Sequence, residues 1–438
     1  MSHAPVQDDR ATTRRSFAGT GIGNALEWYD WGVYSTLTLF IASHMFSKSD
    51  PTSALLSTLA VFAVGFFARP LGGLIFGRIA DRRGRKFSLM LSIALASVGS
   101  LLIGIAPTYD SVGVFASLVL VVARLMQGLA HGGELPAAQT YLSEKAPPER
   151  RGLWASWIYF SGTVGNLTGL LLTALLTTTL SKDAMDTWGW RVPFLAGALL
   201  GLYGLVLRRS MTETQVFETD VEKSPDVRSL WSSIAAHRRQ ALQVIGMTCG
   251  FTVIYYVWAI NAPAYAQTTL KIDPTSALWA GVVGNVVFLV ALPLWGKVSD
   301  RVGRKPVLLG ALAAAVVLYI PMNAILKDSA WQLALTMSIM LAVIAGVASI
   351  APAVYAEMFP THVRAAGFGF PYSIAIAVFG GTAPLLQAWM AEHFHSTAVF
   401  PFYAIALMLV SGATILTLPE TKGIDLHETD REHARVTG

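Results

Sequence analysis

Twelve predominantly apolar stretches, each 18 residues or longer, follow one another along this 438-residue chain, and no other feature limits its fold so tightly. They cover residues 16–43, 54–77, 87–106, 112–142, 153–179, 191–208, 240–267, 276–297, 307–326, 332–357, 366–391 and 399–418. An α-helix rises about 1.5 Å per residue, so about 20 apolar residues cross the hydrocarbon of a bilayer. Backbone groups find no water there, and a single stretch satisfies its own only as a helix. The sequence therefore predicts an all-α membrane protein with twelve transmembrane helices. Composition agrees, since 13% of the residues are charged against roughly 25% in a soluble protein.

Charge placement gives an orientation. With the N-terminus inside, 25 of the 32 Lys and Arg fall in cytoplasmic segments and five outside (Lys48, Lys182, Arg191, Lys271 and Lys327), while Arg69 and Arg124 lie within helices. This is the positive-inside pattern, and it predicts a cell (inner) membrane protein with both termini cytoplasmic. Topology thus accounts for the net charge of +5, and no nucleic-acid partner is expected. The leading MSHAPVQDDRATTRR is too polar to read as a cleavable signal. A lone cysteine, Cys249, excludes an internal disulfide or a cysteine-rich metal site.

The polar segment 209–239 separates six helices from six, giving an N-terminal bundle (1–208), a central cytoplasmic loop, a C-terminal bundle (240–418) and a tail (419–438). GRIADRRGRK at 77–86 recurs as GKVSDRVGRK at 296–305, an offset of 219 residues. YLSEKAPPERRG at 141–152 has its counterpart in YAEMFPTHVRAAG at 355–367. A tandem repeat in one orientation implies a pseudo-two-fold axis along the membrane normal, with a site between the bundles reached alternately from either side. The bland alternative is a duplicated scaffold that moves nothing.

A charge at the bilayer centre costs about 2.5–3.5 kcal/mol, so each one asks for a reason. All such charges are in the first half. Glu27 lies roughly 18 Å along the first helix from Arg15 and Asp30 about one turn deeper, near mid-membrane. Arg124 is at a similar depth, and Arg69 is nearer the cytoplasm. Glu27, Asp30 and Tyr34 share one helical face. A carboxylate that alternates between apolar surroundings and a nearby arginine gains and loses a proton, which makes Asp30 the leading proton-coupling candidate. Glu27 is a second proton site or a structural partner. Glu134, deeper towards the cytoplasm, is a third candidate or pairs with a loop cation. The structural alternative is a permanent ion pair, Asp30 with Arg124 or Glu27 with Arg69.

Arginine stays charged and grips a carboxylate with a two-pronged fork, so Arg124 and Arg69 together suit a dicarboxylate. His131, on the same face as Arg124, reads as a gate or a hydrated polar position. The second half has no charge inside its helices, so its share of a substrate site is neutral. Tyr256, Asn261, Asn285 and Tyr372 are the candidates there, beside Tyr34 in the first half, although each alone is more often a packing hydrogen bond. In the repeated loops Gly84 and Gly303 allow a tight turn, and Asp81 or Asp300 can pair with Arg85 or Arg304 or meet a helix N-terminus.

The pattern G-x-x-x-D-R-x-G-R-K in both halves resembles the loop signature of the major facilitator superfamily, and ARLMQG at 123–128 resembles its fourth-helix arginine motif. EWYDWGVY, RPLGGLIFGRIADRRGRK, RLMQGLAHGGE, GWRVPFL and AEMFPTHVRAAGFGFPYSIAIAVFGGTAP resemble its metabolite:proton symporters, a group with permeases for α-ketoglutarate, citrate, shikimate and proline or betaine. Through FGRIADRRGRKFSLMLSIALASVGSLLIGIAPTYDSVG and TYLSEKAP the chain is most like the α-ketoglutarate permeases. The resemblance implies a monomeric symporter that imports a small organic acid with protons and needs no cofactor beyond the proton gradient. It also implies that Asp81, Arg85, Asp300 and Arg304 close the cytoplasmic side. LPETKGIDLHE resembles the tail of sugar porters, which keeps a sugar:proton symporter as the alternative, alongside other organic acids and zwitterions. An enzyme is not expected: HFH at 393–395 is too small a ligand set for zinc, and no G-x-x-x-x-G-K-[ST] loop is present.

Overall fold

The computed structural model describes the backbone of residues 9–83, 85–132, 134–209, 237–360, 364–424 and 426, with side chains from Gly21 onward except at 80, 81, 85, 134–137, 141, 207–209, 365 and 366. Every regular element among the described residues is helical. In the N-terminal bundle α1 is Asp9–Thr36, α2 Pro51–Arg83, α3 Arg85–Ile105, α4 Val114–His131, α5 Arg151–Thr179 and α6 Val192–Arg209. In the C-terminal bundle α7 is Arg238–Tyr255 continued by Ala262–Thr268, α8 Pro274–Val302, α9 Arg304–Ile325, α10 Ala330–Ala348 continued by Ala351–Glu357, α11 Arg364–Ala375 continued by Ala383–His393, and α12 Val399–Leu416. Among the described residues eleven of these, all but α1, are long and apolar enough to cross a membrane. With α1 they make the two six-helix bundles.

Several helices are interrupted where the sequence alone predicts continuous ones. The stretch 16–43 breaks at Leu37 before a short helix, Thr38–Met45, and the stretch 112–142 ends α4 at His131 before a second segment, Glu134–Lys145. In the second half proline gives the reason: it lacks an N–H and clashes with the carbonyl four residues back. Pro263 lies four residues after Ala259, within the π-helical turn Tyr256–Asn261. Pro384 likewise follows the π-helical turn Ile376–Gly380, and Pro352 follows the end of α10 at Ala348. The carbonyl of Ala259 is met by the amide groups of Asn285, 3.3 Å away, and Asn166, 3.4 Å away.

The bundles meet along α5 and α8, where Gly152 and Gly296 let the two backbones approach. A Cβ on Gly296 would lie 2.8 Å from the Gly152 carbonyl oxygen. The main apolar core runs through both halves, from Trp31 and Phe66 to Tyr256 and Tyr372, and a smaller one joins Leu167, Leu170 and Ala174 of α5 to Leu278 and Val282 of α8. The end of the molecule that carries the repeated loop 296–305 is called the motif end below, and the other the far end.

Candidate functional site

At mid-depth α1 and α2 face each other with three residues each at helical spacing: Glu27, Trp31 and Tyr34 on one, Phe62, Phe66 and Arg69 on the other. Arg69 reaches Glu27 at 2.9 Å, both almost fully buried, and its guanidinium stacks over Trp31 and Phe66 at 4.5 and 4.6 Å. One turn round α1, Trp28 meets the other bundle, stacked on Tyr256 at 6.1 Å and edge-on to Tyr255 at 5.5 Å. Phe66 touches Tyr256 edge-on at 5.1 Å. The Glu27–Arg69 pair therefore lies against the interface between the bundles, inside an aromatic cage drawn from both.

Beyond that ion pair the cage leaves several buried polar atoms without a hydrogen-bond partner: Nε1 of Trp28 and Trp31, Nε of Arg69, and the Tyr256 hydroxyl. All but the hydroxyl can only donate. A ligand completing this site must accept hydrogen bonds, as a carboxylate does.

Arg124 lies one layer deeper in the N-terminal bundle, fully buried, with its guanidinium over Trp31 at 4.0 Å and Tyr34 at 4.3 Å. It does not pair directly with Asp30. A chain of hydrogen bonds links them instead. Arg124 Nη1 donates to Gln127 Oε1, Gln127 Nε2 donates to Ser100 Oγ, and Ser100 Oγ donates to Asp30 Oδ1, each at 2.8 Å. The second Asp30 oxygen lies 3.8 Å from His131 Nε2.

The neutral candidates are mostly occupied by packing. The Tyr34 hydroxyl donates to the Thr58 carbonyl at 2.9 Å. Asn285 accepts from Asn166 at 3.2 Å and donates to the carbonyls of Ala259 and Gly281, tying α8 to α5 and α7. Asn261 accepts from Ser35 at 3.4 Å, a second tie between the bundles. Tyr372 lies 3.3 Å from the hydroxyl of Tyr159. Only Tyr256 combines a place in the cage with a free hydroxyl. The side chains of Glu134, Asp81 and Arg85 lie outside the described residues.

The motif end is fastened across the bundles. Asp300 accepts from the backbone N–H groups of Gly152 and Leu153, the first turn of α5, at 2.8 and 3.0 Å, and pairs with Arg304 at 2.8 Å. Gly303 turns the chain between α8 and α9 with φ of 118°, which favours glycine. Arg151 pairs with Glu357 at 3.0 Å, and Arg364 with Glu144 at 2.6 Å. These are reciprocal contacts, because Glu144 and Arg151 occupy in the first half the places of Glu357 and Arg364 in the second. The YLSEKAPPERRG repeat contains this signal, an acid and an arginine seven residues apart in both copies, but only the fold shows that partners are exchanged. The segment after α12 joins the same knot: Thr421 donates to Glu357, and Arg151 donates to the Ile424 carbonyl at 2.9 Å. Glu420 accepts from the N–H groups of Arg304 and Lys305 at 2.8 and 3.0 Å. Partial burial opposes its charge, but these backbone donors outweigh that and hold its pKa below the ordinary glutamate value.

The far end is open. A cavity of about 520 Å³ lies between the bundles there, bordered by Ser43, Lys48 and Thr52 of the first half and Lys271, Ala388 and His395 of the second. The interface between the bundles is thus open at the far end and closed at the motif end.

The profile of the Sugar (and other) transporter family matches residues 19–223 and 209–433. The alpha-ketoglutarate permease of Escherichia coli (strain K12) is 35% identical over 417 residues, covering 94% of this chain and 95% of that one. The proline/betaine transporter of Escherichia coli (strain K12) is 31% identical over 429 residues, covering 94% and 85%. Among solved structures, the proton:xylose symporter XylE bound to 6-bromo-6-deoxy-D-glucose superposes with a TM-score of 0.78 at 18% identity, covering 97% of this chain and 100% of that one. A partially occluded inward-open form of XylE from E. coli gives 0.74 at 18% identity, covering 93% and 98%. At such identity the likeness is one of fold.

Proposed function

The chain belongs to the Sugar (and other) transporter family, with a major facilitator fold, and from that premise we propose that it is a proton-coupled symporter importing a small organic acid. A dicarboxylate such as α-ketoglutarate is the cargo, moved by alternating access, with the motif end in the cytoplasm. The observation that carries this reading is the donor-rich cage around Arg69. Its orphan N–H groups match a carboxylate, and its guanidinium is held by Glu27 in a way that an incoming carboxylate can replace. Arg69 is the substrate-binding arginine, and Arg124, packed behind Trp31 and Tyr34, fixes the cage from within. Glu27 and Asp30 supply two titratable carboxylates. Two protons neutralise a dianion, which otherwise enters against a field worth about 2.3 kcal/mol per charge per 100 mV.

The identity of 35% to the alpha-ketoglutarate permease supports the dicarboxylate. The proline/betaine relatives favour a second reading, a zwitterion whose two charges meet Glu27 and Arg69. Proteoliposomes decide between them. Labelled α-ketoglutarate is expected to accumulate only under an inward proton gradient, unlabelled proline, betaine and xylose failing to compete. Asp30→Asn is expected to keep exchange and lose uphill accumulation. Accumulation of xylose with none of any carboxylate, or full accumulation by Asp30→Asn, overturns the reading.

A further inference from the structure

The N-terminal bundle holds a second, much smaller cavity of about 20 Å³, enough for one water, which needs roughly 10–15 Å³. Asp30, Glu27 and His131 line it with Ser97, and among the described residues none of the C-terminal half borders it. Two glycines of α6 make the room. A Cβ on Gly197 would lie 3.0 Å from Asp30 Oδ1, and one on Gly201 would overlap the Ser97 hydroxyl. The lining continues to Gly23 on α1 and Ser92 on α3, about 10–12 Å nearer the motif end than Asp30 and Ser100. The space thus leads from Asp30 towards the motif end inside one bundle.

His131 closes the last turn of α4 beside this space. Its side chain and that of Asp30 are 8% and 11% exposed, 3.8 Å apart, and its Nε2 has no hydrogen-bond partner. The other charged groups around it, among the described side chains, are Glu27 on α1, Arg69 on α2, which Glu27 holds, and Arg124 two turns back on α4. Among the described residues, α3 lines the cavity with Ser92, Ile93, Ala96 and Ser97 and α6 with Gly197 and Gly201, none of them ionisable. A histidine nitrogen 3.8 Å from a buried carboxylate oxygen, with room for one water beside the pair, is poised to take that group's proton.

We propose that Asp30 and His131 form a proton-relay pair, and that the proton leaves through this intrabundle cavity, apart from the route of the substrate. The inference rests on the symport reading above. The Asp30 O–H bond breaks, the proton passes through one water to His131 Nε2, and a carboxylate is left beside an imidazolium. The imidazolium then hands its proton to water at the cytoplasmic end and returns to neutral. Nothing is oxidised or reduced.

Infrared difference spectra of the full-length protein in lipid, followed across a full pH titration, test the pair without any substrate, because carboxyl and imidazolium bands are separate. A carboxyl band lost in Asp30→Asn is expected, and in His131→Gln its midpoint should move by at least about half a pH unit. Gly197→Ala, which crowds the same carboxylate without removing a titrating group, should move it too, whereas Asp328→Asn at the far end should not. In proteoliposomes, His131→Gln should slow net proton-driven uptake at least about tenfold more than it slows exchange. An Asp30 band with the same midpoint in the wild type and in both cavity variants overturns the pair. Failure of the wild type to accumulate any cargo sinks the transport reading instead, and the spectra still decide the pair.

Discussion

Removing the guanidinium of Arg69 takes from the buried Glu27 carboxylate the ion pair that offsets its charge. Arg69→Ala is therefore expected to lower stability by about 3–5 kcal/mol, the usual cost of breaking one side of a buried pair. Adding Glu27→Gln should restore most of that loss but not the response to carboxylates. Thermal unfolding in detergent, with and without α-ketoglutarate, checks both halves of the expectation. A double variant still stabilised by the ligand would remove Arg69 from the site. At this scale the charges were easy to find in the sequence, because an ionised group among apolar helices stands out against its energetic cost. Ser100 and Gln127 did not stand out. Small polar residues are common in membrane helices, and these two acquire meaning only when three helices bring them between Asp30 and Arg124.

The twelve elements follow from hydrophobic length alone, but their interruptions do not. A proline announces where a helix is disturbed, yet whether the ladder breaks, bends or widens into a π turn depends on what meets the freed carbonyl. At Ala259 that is a pair of asparagines from α5 and α8, 93 and 26 residues away in sequence. The start of α9 shows the same dependence on distant chain, since its first two N–H groups are held by Glu420 from beyond α12. Because the pKa of Glu420 is lowered in the folded protein, its contribution is whole above the ordinary glutamate value of about 4.3 and fades as pH falls through the lowered one. Hydrogen exchange at Arg304 and Lys305 should therefore quicken, relative to the rest of α9, on acidification below about pH 4. Glu420→Gln should show weaker protection that no longer depends on pH in that window. A wild-type profile flat across it would remove Glu420 from the cap.

Across the whole molecule the tandem repeat could be read from two loop motifs, and with it the likeness of the halves. The division of labour around the cage is visible as well: its ionisable groups come from the first bundle and the second supplies aromatic walls and neutral ties, its own buried charges, Asp300, Arg304, Glu357 and Arg364, lying at the motif end. What the repeat does not reveal is that Glu144 and Arg151 each take their partner from the opposite half. Reversing one charge, as in Glu144→Arg or Arg364→Glu, places like charges together and should shift the resting population towards a form open at the motif end. Combining the two reversals should return it. Cysteine accessibility at the two ends measures the shift, and single and double variants labelling alike would separate these ion pairs from the closed state.

The reciprocal ties also shape how the carrier lets go. Each joins one bundle to the other, so the bundles can part at this end only when both pairs give way. Opening is therefore expected as one concerted step and not as a sequence of partial releases, which leaves a half-open form little populated.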